Sequence, residues 1–239
     1  MSQTKTGSAA TTEAPAKEPR GARRKRETRQ RLMKAALELM AARGMDGVAI
    51  NEITEAADVG FGSFYNHFDS KEAIHAELMR EVLNSFGETM DHISNNLEDP
   101  AEILSTAVRY AVQRSADNPV WGRFLIQTAL SADILSGLGQ YMLRDIQRGI
   151  ASGRFKLKDP LMAFTSVGGT VIGALTAQME FAPADSTAKK VAQQLGLNLE
   201  NIPERTASTV LQILGLTNEQ ADEVAHRPLP PVELRDSLF

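Results

Sequence analysis

Residues 61–71 read FGSFYNHFDSK and concentrate groups able to do recognition chemistry. A carboxamide such as Asn66 can pair two ways with the edge of adenine, and the Ser63 hydroxyl can donate or accept. The Tyr65 hydroxyl and the Lys71 ammonium suit phosphate oxygens. Gly62 lets a backbone approach a neighbour closely. A second kind of chemistry is suggested by Glu72-x-x-His75 and Glu223-x-x-His226, the spacing with which helical bundles hold two metals. Such bundles need both motifs in one core. Here one follows directly on the stretch above and the other precedes a proline-rich end. No metal site is therefore expected. The chain also has no Gly-rich phosphate loop and no plausible nucleophile triad. Neither a catalytic residue nor a cofactor is expected, and the chain is read as a non-enzyme.

The elements that position these groups follow from the rings around them. The chain has nine Phe, three Tyr and one Trp, and Phe61, Phe64, Tyr65 and Phe68 fall within eight positions. Their spacing of i, i+3, i+4 and i+7 predicts a short helix with an aromatic stripe. Gly62, Ser63 and Asn66 lie on its other face, with His67 at the edge. Before it, Ile50, Ile53 and Ala57 mark a helix near 50–57, interrupted by Asp58-Val59-Gly60. Leu32, Ala35, Ala36, Leu39 and Met40 mark a longer helix stopped by Gly44. Two short helices joined by a tight turn and packed on a longer one form a helix-turn-helix unit, whose second helix enters the DNA major groove. After it, Asp69 or Ser70 can cap a long helix with apolar residues from Ile74 to Leu97, and Asp69-x-x-Glu72 has capping-box form.

Composition and punctuation describe the rest. With 42% apolar residues and few aromatics, 239 residues suggest an all-α protein with a sizeable core. The net charge of −4 hides a local excess: residues 20–31, RGARRKRETRQR, carry seven Arg or Lys against Glu27. This basic arm, including Arg24 and Arg26, is read as contacting phosphates or the minor groove, with a solvated charge run as the alternative. There is no cysteine, which fits a reducing compartment, and the N-terminus has no secretory h-region, so a cytoplasmic location is expected. Residues 161–179 are uncharged but carry five Thr, Ser or Gln, and a buried helix is preferred to a membrane span. Asx-Pro pairs at 99–100, 118–119 and 159–160 predict helix starts at 100, 119 and 160. Further helices are expected over 137–151, 187–195, 203–214 and 217–226. The expected organisation is a disordered tail over 1–19, a DNA-binding domain over 20–72, a helical body over 73–226 and a Pro-containing tail over 227–239.

Residues 27–75 resemble the TetR family of transcriptional regulators. The resemblance rests on Ile53-Thr54, Ala57-Asp58-Val59-Gly60, Gly62-Ser63-Phe64-Tyr65, His67-Phe68 and Asp69-Ser70-Lys71-Glu72. It implies that Tyr65, His67 and Lys71 contact phosphates and that Phe61, Gly62, Ser63 and Asn66 read bases, with Asn51 as a helper. Gly60 and Ala49 replace the usual hydroxyl caps, Asp58 stands for a turn glycine, and Phe61 occupies a usually polar position. Phe61 is open to two readings, a thymine-methyl contact or packing on the neighbouring turn.

The family layout further implies a ligand-sensing, dimer-forming body and binding to a pseudo-palindromic operator, released by a small, largely apolar effector. Candidate ligand residues are Phe86, Met90, Tyr110, Trp121, Phe124, Leu125, Thr128, Tyr141 and Thr165. Glycine is costly inside helices, so Gly168, Gly169 and Gly173 suggest close backbone approach. With the layout of the family, this implies a homodimer seam formed by Gly169 and Gly173 and by Val210, Ile213 and Leu214 of the helix near 203–214. An architectural DNA binder without a ligand is the main alternative, and a di-metal bundle enzyme a remote one.

Overall fold

A computed structural model describes residues 19–129 and 137–232, and the elements found there are helical. The expected tail over 1–19 lies almost wholly outside the described residues, as do the last residues of the expected C-terminal tail. The first helix, α1 (Arg20–Arg43), takes in the whole basic arm, so the arm extends a helix instead of preceding one. It ends at Gly44, whose φ of 72° is a left-handed value that suits glycine. Helix α2 (Ile50–Ala56) and α3 (Phe61–Phe64) follow, with Asp58 at φ 52° in the turn between them.

The expected long helix over 74–97 is present in three pieces: α4 (Lys71–Leu78), a π-helical segment (Met79–Asn84) and α5 (Ser85–Ser94). It stops short of Leu97. Its N-cap is Ser70, which accepts from the Ala73 N–H at 3.2 Å, so Asp69 does not cap it. Two donors support the π segment. The Ser85 hydroxyl donates to the Glu81 carbonyl at 2.7 Å and the Trp121 indole to the Val82 carbonyl at 3.1 Å. π-Bulges are rare and cluster at functional places.

The three Asx-Pro pairs start helices as expected: α6 (Pro100–Asp117), α7 (Pro119–Ala129) and, after α8 (Leu138–Ala151), α9 (Pro160–Phe181). Asp99, Asn118 and Asp159 each accept from a first-turn N–H, at 2.9, 3.0 and 3.1 Å. The chain continues through α10 (Thr187–Gln194), α11 (Ile202–Ile213) and α12 (Asn218–Ala225). Helix α6 is the spine of the body, packed by α7, α8, α9, α11 and α12. Helix α1 packs on α7, so the N-terminal unit rests on the body. The start of the expected C-terminal tail is held to α6: Arg109 donates to the Arg227 carbonyl at 2.7 Å, Arg227 pairs with Glu102 at 2.7 Å, and Tyr110 donates to the Pro230 carbonyl.

Helix α9 departs from the expectation of a buried helix. By length and composition it could cross a membrane, yet within the protomer only Ala163, Val167 and Leu175 are fully buried. One face packs on α6, α7 and α11, and the other, with Gly169 and Gly173, is uncovered. The correction on α11 runs the other way. Val210 and Leu214 are completely buried inside the protomer and have no side-chain surface to offer a second subunit, whereas Ile213 packs against the core and stays partly exposed. The apolar face of α11 is consumed by α6, α9 and α12.

Candidate nucleic-acid interface and interior cavity

The α2–turn–α3 unit is fastened from three sides. Arg31 of α1 donates to the Asp58 carbonyl at 3.3 Å and holds the left-handed turn. Glu52 accepts from the Ala49 N–H and from Arg43, both at 2.8 Å, which replaces the missing hydroxyl cap of α2. The Ala49 backbone bond first, then the Arg43 bond, hold the Glu52 carboxyl below its ordinary pKa. Gly60 caps α3 without a side chain.

The aromatic stripe does not act as one surface. Phe64 and Phe68 are buried, and the Arg29 guanidinium lies 4.9 Å from the Phe68 ring centre. Phe61 and Tyr65 are 54% and 50% exposed and meet edge to face at 5.7 Å. At about 100° per residue the four rings span roughly a quarter of the helix circumference, and a helix lying on a surface sinks only one edge of such a stripe. The helix is also shorter than expected. From Asn66 the bonds tighten, with Asn66 N–H to the Ser63 carbonyl at 3.3 Å and His67 N–H to the Phe64 carbonyl at 2.9 Å, both of the i→i+3 kind.

The polar candidates stand at the surface. Asn51, Gly62 and Asn66 are exposed, Ser63 and Lys71 are half-buried, and Arg24 and Arg26 are exposed on α1. A Cβ added at Gly62 would meet nothing described within 4 Å. His67 differs from them. It is half-buried, and burial first, then the charges of Lys25 and Arg29, lower its pKa below the ordinary value. In the free protein the neutral imidazole is therefore favoured at neutral pH, and it can donate to a phosphate.

A cavity of about 380 Å³ lies among α5, α6, α7, α8 and α9. It is in the lower part of the range for small-molecule sites. Of the candidate ligand residues, Phe86, Met90, Leu125, Tyr141 and Thr165 line it. Four other candidates do not. Trp121 is buried between the π segment and Arg114, whose guanidinium lies 5.1 Å from its ring centre. Phe124 is buried edge-on against His75 at 5.8 Å, Thr128 is buried outside the lining, and Tyr110 is turned to the C-terminal segment. Three of these four carry rings, and large rings fill space. The cavity exists where side chains are small: Gly87, Ala107, Ala111, Gly139 and Gly168 line it. That signal was readable in the Ala and Gly spacing of α6 and α9. The sequence reading also missed Asp91 and Asp145, the charged residues of the described lining.

The two Glu-x-x-His pairs are not brought together. Glu72 and His75 lie in α4, whereas Glu223 on α12 pairs with Arg227 at 2.8 Å. Among the described residues no three His, Cys, Asp or Glu side chains form a group that could hold a metal.

Comparison with known proteins agrees with this geometry. Residues 32–78 match the family model for bacterial regulatory proteins of the tetR family, and residues 99–227 match that for the tetracyclin repressor-like C-terminal domain. The transcriptional repressor DhaR of Mycobacterium sp. (strain GP1) is 42% identical over 71 residues, 30% of this chain and 34% of DhaR. The repressor KstR2 of Rhodococcus jostii (strain RHA1) is 34% identical over 90 residues, 36% of this chain and 44% of KstR2. The chain thus spans less than half the length of these two relatives. A crystal structure of RolR in complex with resorcinol superposes with a TM-score of 0.60 and 31% identity, covering 89% of this chain and all of that one. Two matched domains spanning more than half of the chain, a helix-turn-helix with its polar face open and a helical body around a cavity make this chain a member of the TetR family of transcriptional regulators.

Proposed function

We propose that this protein is a dimeric, sequence-specific DNA-binding repressor that is released from a pseudo-palindromic operator by a small, largely apolar effector. The observation that carries the reading is the pinned α3 unit. Phe64 and Phe68 are buried while Gly62 and Asn66 stand open. Phosphate contacts from Tyr65, His67 and Lys71, with Arg24 and Arg26 along α1, would set register, and Asn51, Phe61, Gly62, Ser63 and Asn66 would read bases. The exposure of Phe61 supports a thymine-methyl contact over packing. Residues 20–72 form the DNA-binding part in this reading and 73–226 the sensing and dimerising part.

The cavity separates this reading from a ligand-independent architectural binder. A largely apolar pocket of about 380 Å³ has the size and lining of a small-molecule site, which a purely architectural binder does not need. Relatives named as repressors, and RolR with its bound resorcinol, support the same reading. The second copy would meet the uncovered face of α9, where Gly169 and Gly173 let two helices approach and Leu161 and Met162 stand 71% and 55% exposed. A chromosomal operator implies a cytoplasmic location.

Selection of bound sequences from random DNA tests the proposal. An inverted repeat with half-sites about one turn, ~34–36 Å, or a multiple of it apart is expected. Recovery of sequence-independent binding would overturn it.

A further inference from the structure

Among the described residues, the charged lining of the cavity lies at one pole, formed by Asp91 on α5 and Asp145 on α8. Arg144 ties the two. Its Nη1 donates to Asp91 Oδ2 at 2.8 Å and its Nη2 to Asp91 Oδ1, while Nε and Nη2 reach Asp145 Oδ1 at 3.1 and 3.0 Å. Arg148 Nη1 lies 3.6 Å from the same Asp145 oxygen. Two guanidiniums therefore balance two carboxylates. The bonds reaching Asp145 fall on Oδ1, which leaves Oδ2 as the acceptor for an occupant. Burial raises the Asp145 carboxyl above its ordinary pKa, as expected of an acceptor short of solvent. The other described walls, with Phe86, Leu104, Val108, Leu125, Phe164 and Leu175, are mostly apolar, and Tyr141 and Thr165 add hydroxyls.

Each class of occupant meets this pole differently. A carboxylate would face Asp91 and Asp145, and the guanidinium that could receive it is already held by both. An ammonium would lose its hydration and find no uncompensated charge. A plain hydrocarbon would leave a buried acceptor without a donor. We propose that the effector is an uncharged, compact, mostly apolar molecule carrying a hydroxyl that donates to Asp145. This rests on the reading of the cavity as the effector site.

The test uses the full chain and four compounds with one framework: 4-tert-butylphenol, 4-tert-butyltoluene, 4-tert-butylbenzoate and 4-tert-butylbenzylammonium. Calorimetric titration should rank the phenol about tenfold or more tighter than the toluene, as a hydrogen bond to a charged group implies. The benzoate and the ammonium should bind more weakly than the phenol. Asp145→Asn should shrink the preference for the phenol over the toluene to about threefold or less, since a neutral acceptor is weaker. Asp145→Ser serves as a second variant, with retained operator binding as the control for folding.

Equal binding of phenol and toluene, tighter binding of either ion, or an undiminished phenol preference in the folded variants would overturn the proposal. If none of the four binds to a protein that still binds its operator, the cavity is not the effector site and both readings fall. If the phenol preference is found but the bound phenol leaves operator affinity unchanged, the hydroxyl inference stands and the release mechanism falls.

Discussion

Individual side chains divide the work at the DNA face between holding and reading. Lys71 stands half-buried at the first turn of α4, where an ammonium can reach a phosphate but carries no base information. Lys71→Ala should weaken operator and non-operator DNA alike and reduce the slope of log K against log salt by about 0.9. A loss confined to the operator would contradict that role. Asn66 is exposed on the opposite side from the buried rings. Asn66→Ala should relax preference at one base position in a binding selection, at a cost of about 1–3 kcal/mol for the preferred base. An unchanged preference would remove it from the readers.

His67 makes a pH prediction. Its pKa in the free protein lies below the ordinary value of about 6.5 because of burial, Lys25 and Arg29. The unfolded chain therefore binds this proton more tightly, and stability declines as pH falls below about 6.5. A docked phosphate offsets the positive neighbours and raises the pKa, so the complex binds the proton more tightly than the free protein. Operator affinity should then rise as pH falls through the value in the complex and level off below the value in the free protein. His67→Gln should flatten that profile. A wild-type affinity that does not change between about pH 5.5 and 7.5 would show that no phosphate meets this imidazole.

Among the elements, the α4–π–α5 rod joins the two halves. At one end Arg29 of α1 pairs with Glu77 at 2.7 Å and approaches Glu81 at 3.8 Å. At the other, Phe86, Gly87 and Met90 line the cavity. The π segment lies between, and Trp121 of α7 donates to one of its carbonyls. A change of fit at the cavity can thus be passed along one helix to α1. Trp121→Phe removes the donor and leaves the Val82 carbonyl buried, which should cost about 1–3 kcal/mol in urea unfolding. A loss well below 1 kcal/mol would mean that water or another donor replaces the indole. Apolar spacing predicted this rod as one helix, because a π turn keeps the 3–4 recurrence nearly intact. The inserted turn is supported from α7 by the Trp121 indole, which the spacing does not encode.

For the whole molecule, the open question at the surface is α9. Its outer face is uncovered, and a Cβ added at Gly169 or Gly173 would meet nothing described within 4 Å. Gly169→Glu therefore should leave the protomer folded while placing a charge in the proposed seam. Sedimentation should show a monomer, and operator affinity should drop by more than about tenfold, since one protomer holds only one half-site. A variant that sediments as a dimer with wild-type affinity would move the seam elsewhere. The same glycine lines the cavity, so subunit contact and effector fit meet on one helix.

Local chemistry was enough to read the helix starts at 100, 119 and 160, the stop at Gly44, the turn at Asp58 and the polar face of the recognition unit. Each depends on residues within one or two turns of each other, whose caps, backbone angles and spacing carry the information. Tertiary packing alone decided which rings of the stripe sank, that Val210 and Leu214 faced inward, and that Asp91 and Asp145 came from two helices to share Arg144. Those outcomes depend on which helix covers which face. A cavity is the space that facing helices fail to fill, and it belongs to no single stretch of chain.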